Sequence, residues 1–342
     1  MTTGYVYEPI YLEHTLSGHP ENHERLVAIM DLLKETGTLD RLERVPASPI
    51  SQERLERNHT ARYIEEVRRV AERGGGHLDL DTYVAPRSYE AALMSAGGLV
   101  NLIEAVLDGA VDNGFALVRP PGHHALAGRG MGFCLFNNVA IAAHYALAER
   151  GLERILIVDF DVHHGNGTQD AFYESPAVFY FSTHQYPYYP GTGHWQDIGR
   201  GAGVGYTANV PLRSGVGDVG YERIFDEILA PLARRYQPQL ILVSAGYDAH
   251  WADPLAGMLL SIPGYAALAR RLKALADELC AGRIVFTLEG GYHLQVLAYA
   301  VLDTFKGLLG DEDVEDPLGP SPRAEVDISN VLAAVKRVHN LG

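Results

Sequence analysis

The 342 residues carry 43 Asp and Glu against 28 Lys and Arg, a net charge of −15, in a composition that is 47% hydrophobic. That length buries one large core or two smaller ones, while the acidic balance speaks against unaided binding to phosphate backbones and leaves a cationic substrate welcome. Two cysteines, Cys134 and Cys280, are too few for a disulfide framework or a cysteine-based zinc site.

At the start of the chain, MTTGYVYEP has neither a basic nor an apolar signal region. No apolar run reads as a membrane span, so the expectation is a reduced, cytoplasmic protein with no membrane or nucleic-acid partner. Further on, the short apolar runs Phe115–Val118, Ile155–Val158, Val178–Phe181, Leu240–Val243 and Ile284–Leu288 suit strands buried on both faces of a parallel sheet. The stretches Asn138–Arg150 and Tyr221–Arg235 have the length and periodicity of crossover helices. Residues 310–322 form an acidic, Pro/Gly-rich loop. After it, Val331, Leu332, Val335 and Val338 recur at helical spacing, predicting a last helix within 328–340 that packs back on the body. No repeat or linker divides the chain, and one α/β domain over residues 1–342 is the simplest organisation.

Open parallel sheets place ligands beyond the carboxyl ends of their strands. The segments that follow the five runs are RPPGHH, DFDVHHGNG, STHQYPYYPGTG, SAGYDAHWADP and EGGYH, which bring polar and aromatic groups to one rim. In the second segment, residues two apart share a face of an extended strand end, so Asp159, Asp161 and His163 point one way and His164 the other. Asp161 and His163 are donors of the kind a three-ligand catalytic zinc site uses. Asp159 is a third ligand, a partner to one, or a ligand for a different cation, and His164 reads as a core or supporting histidine. A carboxylate from another strand end would complete the set, with Asp248 ahead of Asp253 by position alone. The adjacent His123 and His124 follow an irregular PPG turn, which lets both rings face one cleft as general acid and base.

The segments HPENHERL, NHTARYI, RPPGHHA, GMGFCLFNNVAIAA, VDFDVHHGNGTQDAFY, STHQYPYYPGTG, NVPL, SAGYDAHWADPLAG and LEGGYH together resemble the histone deacetylase superfamily, and more closely its bacterial members similar to class II enzymes. The likeness covers about residues 5–310. It implies the arginase/deacetylase fold, a three-layer α/β/α domain with a central, mostly parallel sheet. It also implies one zinc per chain on Asp161, His163 and Asp248, with Asp253 in the loop that follows. By the same resemblance His123 and His124 are the tandem catalytic histidines, Asp159 supports His123, and Tyr292 is the oxyanion donor. Gly132, Phe133, Tyr189, Leu255 and the rim carboxylate Asp81 form an acyl-lysine channel. Relatives also hold potassium, for which Asp159, Asp161, His163, Ser182 and Thr183 are the matching positions.

Two positions depart from patterns within that family. Asn166 stands where class I enzymes carry an aspartate, as is usual for class II relatives, and an amide accepts the His124 N–H without adding negative charge. Leu255 stands where acetylpolyamine-specific relatives carry a glutamate. The implied activity is hydrolysis of an N-ε-acyl-lysine amide in a protein or peptide. The alternatives are a small acylated amine such as an acetylpolyamine, a two-manganese ureohydrolase, and a non-catalytic acyl-lysine binding module. An oligomer is compatible with all of them.

Overall fold

The computed structural model describes all residues 1–342. Its strands are β1 Thr3–Val6, β2 Glu43–Arg44, β3 Gly76–His77, β4 Tyr83–Val84, β5 Asn113–Ala116, β6 Ile155–Asp159, β7 Val178–Gln185, β8 Thr207–Leu212, β9 Leu240–Ala245 and β10 Ile284–Leu288. β3 and β4 form a small antiparallel ribbon. The other eight make one sheet in the order β2-β1-β5-β10-β9-β6-β7-β8, with every pairing parallel. The central strands β6, β9 and β10 are buried along their whole length, as their continuous Ile, Leu and Val content requires when helices cover both faces.

Helices Glu24–Glu35 and Ile262–Cys280 each pack on Leu294–Leu309, while Ser88–Leu107 packs on Asn138–Arg150, and the two groups meet the same strands to give the layers. Local chemistry sets several of their ends. The Asn137 side chain accepts from Ala140 N–H to open Asn138–Arg150, which closes at Gly151 with φ 67°. Ser261 caps Ile262–Cys280 through Gly264 N–H, with Pro263 in the first turn. The predicted 221–235 helix is the middle of a longer helical stretch, Asp218–Tyr236, broken by a π turn at Phe225–Leu229.

One expectation needs correction. Ser88–Leu107 is long and apolar enough to cross a membrane by length and composition, but 61% of that window is buried inside the fold, where its Gly97 and Gly98 sit too close to Ser48 and Tyr11 to carry a side chain. The last helix, Ser329–Val338, buries Leu332 and Val335 and packs on β8. Residues 311–328 before it are irregular. Lys306 Nζ ties that loop to the body through Asp313 and Glu315, each at 2.7 Å.

Candidate active site

β6 ends at Asp159, and residues 161–163 are bends rather than strand, so strand alternation does not aim the DFDVH side chains. The loop closes on itself instead, with His163 N–H donating to Asp161 Oδ1 at 2.9 Å. His163 Nδ1 lies 3.2 Å from Asp161 Oδ1 and 3.2 Å from Asp248 Oδ2, and one ligand atom from each of the three residues falls within 4.8 Å of the others. Backbone amides hold the carboxylates: Val162 N–H donates to Asp248 Oδ1 at 2.9 Å and Gly290 N–H to Asp161 Oδ2 at 2.8 Å. Asp248 Oδ2 is buried with no hydrogen-bond partner. Two buried carboxylates with an orphaned oxygen beside an imidazole nitrogen are costly unless a cation takes them up, and the donor set fits a three-ligand zinc site. A Cβ at Gly290 would overlap both Asp248 Oδ2 and Asp161 Oδ2, which is why the turn after β10 has glycine there.

Asp159 does not join this group. Its Oδ2 accepts from His123 Nδ1 and from the Tyr180 hydroxyl, both at 3.0 Å. Asp253 also lies outside it, with its carboxylate taken up by the amides of Leu255, Tyr292 and His293. His164 bonds Thr192 Oγ1 and the Gln169 amide, supporting the neighbouring loop.

The rings of His123 and His124 are 4.0 Å apart and both are buried. Burial penalises a charged His123, but Asp159, then Asp161 and Glu289, outweigh it and lift the imidazole to about 10. Burial, with His123 and His163 alongside, holds His124 well below the usual histidine range. His124 Nδ1 is 2.9 Å from Asn166 Oδ1. The Asn166 amide is oriented by Nδ2 contacts to His124 O and Met131 Sδ, so its oxygen faces the imidazole and His124 carries its proton on Nδ1.

The five expected channel residues, Asp81, Gly132, Phe133, Tyr189 and Leu255, line one cavity of about 250 Å³ together with His124, His163, Tyr188 and Tyr292. Phe133 meets Tyr292 edge-on at 5.8 Å, and Tyr189 meets His124 edge-on at 5.2 Å. Tyr188, not singled out by sequence, stacks on His163 at 5.7 Å and donates its hydroxyl to Leu255 O at 2.9 Å. A Cβ at Gly132 would overlap the His124 ring. At the neighbouring strand ends, Ser182 is the register partner of Asp159 and Thr183 Oγ1 is buried and unpartnered.

Two supporting residues escaped the sequence reading. The buried Glu289 carboxylate accepts from Gly122 N–H at 2.7 Å, His123 N–H at 3.2 Å and Ser244 Oγ at 3.0 Å, fixing the turn that carries the histidine pair. Arg25 donates to Gly291 O at 2.7 Å and Glu289 O at 2.6 Å and lies 5.2 Å over the Tyr292 ring. Their signals were the carboxylate opening EGGYH and the cation in HPENHERL. His123, Cys134 and Glu289 also approach within ligand distance of one another, but Asp159 and backbone amides already engage the histidine and glutamate, and the Cys134 thiol accepts from His124 N–H at 3.5 Å.

Residues 19–308 match the histone deacetylase domain family, whose members are zinc-dependent in general. The chain is 40% identical to a probable deacetylase of Archaeoglobus fulgidus, over 99% of this chain and 98% of that one. It is also 40% identical to the human polyamine deacetylase HDAC10, over 92% of this chain and 48% of that protein. The crystal structure of the HDA15 HD domain superposes with a TM-score of 0.90 at 36% identity, covering 99% of this chain and 94% of that one. With the parallel sheet and the rim geometry above, these likenesses identify the chain as a deacetylase of the histone deacetylase family, with the arginase/deacetylase fold.

Proposed function

We propose that this chain is a zinc-dependent N-ε-acyl-lysine deacylase of proteins or peptides, acting as one domain over residues 1–342. The observation that carries the reading is that Asp161, His163 and Asp248 converge beside the His123–His124 pair at a channel walled by Phe133 and Tyr189. Asp161, His163 and Asp248 would hold a zinc ion, which would supply Lewis-acid chemistry at the acyl carbonyl and at a water.

The chain's own groups account for the remainder. With its proton on Nδ1 against Asn166, His124 presents the Nε2 lone pair and takes the proton of the attacking water. That proton is the one the departing amine requires. His123, charged against Asp159, stays beside it and offsets negative charge during the transfer. The Tyr292 phenol, kept protonated by burial and by the nearby Asp248, donates to the carbonyl oxygen as charge develops there. Phe133 and Tyr189 exclude water and leave a slot suited to the lysine methylenes.

The same reading keeps potassium on Asp159, Ser182, Thr183 and the Asp161–His163 loop, supported by oxygen donors gathered at adjoining strand ends. It also keeps a reducing cytoplasm as the compartment, supported by two buried free cysteines.

The human relative's named activity makes a small acylated amine the second reading, while Leu255 leaves the channel wall without a carboxylate at that point. A kcat/KM comparison of an acetyl-lysine peptide with acetylputrescine on zinc-loaded protein separates them. We expect the peptide to be favoured by about tenfold or more. A clear preference for acetylputrescine would replace the substrate assignment while leaving the reaction class intact.

A further inference from the structure

Asp253 is buried, 6% exposed, and was the rival carboxylate for the metal group. Its bonds go elsewhere. Oδ2 accepts from Tyr292 N–H at 2.7 Å and His293 N–H at 3.2 Å, and Oδ1 accepts from Leu255 N–H at 2.9 Å. One carboxylate therefore joins the turn that carries the phenol to the loop that carries the Leu255 channel wall. That loop is held at its far side too. Tyr188 donates to Leu255 O at 2.9 Å, and Gly257 N–H donates to the Gln185 amide oxygen at 2.9 Å. Tyr188, Leu255 and Tyr292 all face the same cavity.

The Tyr292 turn has few other anchors. Gly291, with φ 113°, precedes it in a conformation that holds no side chain, so the phenol's direction depends on what fixes the amides on either side of it. Arg25 holds the Gly291 carbonyl; Asp253 holds the Tyr292 and His293 amides. Three amide donors converge on this one carboxylate, and a misdirected donor of the oxyanion type loses most of its effect.

We propose that Asp253 is a positioning residue that sets the aim of Tyr292 and couples it to the Leu255 rim loop, so that a substrate seated against the rim meets a phenol already directed at its carbonyl. The proposal rests on Tyr292 being the oxyanion donor, and its test is arranged to separate the two claims.

The experiment is a double-mutant cycle on zinc-loaded protein with an acetyl-lysine peptide, using Asp253→Ala, Tyr292→Phe and the pair, with zinc content and melting temperature measured for each. Asp253→Ala is expected to lower kcat about 10- to 100-fold and, with the Leu255 contact also lost, to raise KM, with zinc content unchanged. In the Tyr292→Phe background the same change is expected to cost less than about twofold, because the group it aims is gone. An equal loss in both backgrounds, or a loss that tracks zinc content, would overturn the positioning role. Unchanged turnover in Tyr292→Phe alone would instead remove the donor on which it rests.

Asp253→Asn provides the second arm should the alanine variant fail to fold. Its single oxygen satisfies more donors when turned to Tyr292 and His293, which leaves an amide N–H₂ facing Leu255 N–H. The expected result is kcat within about threefold of wild type with a raised KM; a kcat collapse with KM unchanged would contradict the coupling to the rim.

Discussion

Asn166 decides the character of His124. Because its oxygen accepts the Nδ1 proton without bringing negative charge, its bond lifts the imidazole only weakly, and burial with His123 and His163 keeps it low. Asn166→Asp would place a carboxylate against that proton and favour the charged ring. A base must be deprotonated to act, so the acid limb of the kcat/KM profile is expected to move to higher pH by about one unit. An unmoved limb would show that His124 is not the base. At this scale the sequence was informative about residue chemistry and weak on which like residue does what. Asp161 and His163 were legible as candidate ligands from donor type, although the strand alternation invoked to aim them ends at Asp159. Asp248 was ahead of Asp253 only by rim position until the resemblance favoured it, since what distinguishes them is which backbone amides reach each carboxylate: Val162 for one, Tyr292 and His293 for the other. Glu289 went unread for the same reason, because its partners at Gly122 and His123 are more than 160 residues away.

The elements were read best where one property dominated. Ile155–Asp159, Leu240–Ala245 and Ile284–Leu288 are apolar runs buried on both faces, and their burial fixes both strand type and parallel pairing. Of the five strands that escaped notice, three are only two residues long, and Thr3–Val6 and Thr207–Leu212 are short or polar in part. The second carries Pro211 on the sheet edge, where a missing donor is tolerated. The run Phe115–Val118 begins two residues late, since β5 is Asn113–Ala116, and Gly114 lies opposite Gly4, where a side chain would overlap the Gly4 carbonyl. The DFDVH segment shows the opposite failure. Alternation along a strand aimed three side chains together, but the strand stops at Asp159, and the turn beyond it sends Asp159 to His123 and only Asp161 and His163 to the metal group.

At the scale of the whole molecule, acid should unfold the protein through buried neutral histidines as well as through its carboxylates. His59 accepts Asn137 N–H on Nε2 at 2.9 Å and faces Leu126 O with Nδ1 at 3.0 Å, a set of bonds that needs the neutral ring. Burial accordingly lowers it to about 4 from 6.5. Between those values the unfolded chain holds a proton that the folded one lacks, so stability is complete above pH 6.5 and falls as pH drops toward 4, by about 1.4 kcal/mol per pH unit for this group. Chemical denaturation of wild type and His59→Gln between pH 7 and 4.5 tests this. The wild-type advantage is expected to shrink steadily below pH 6.5, whereas parallel curves would contradict the assignment.

The proposed chemistry depends on one metal held by Asp161, His163 and Asp248. Elemental analysis of zinc in purified wild type and Asp248→Asn, each dialysed against the same trace of zinc and scored for retained secondary structure, tests that directly. The expected result is about one zinc per chain in wild type and a small fraction of that in the folded variant. Two metals per chain, or full retention in Asp248→Asn, would contradict it.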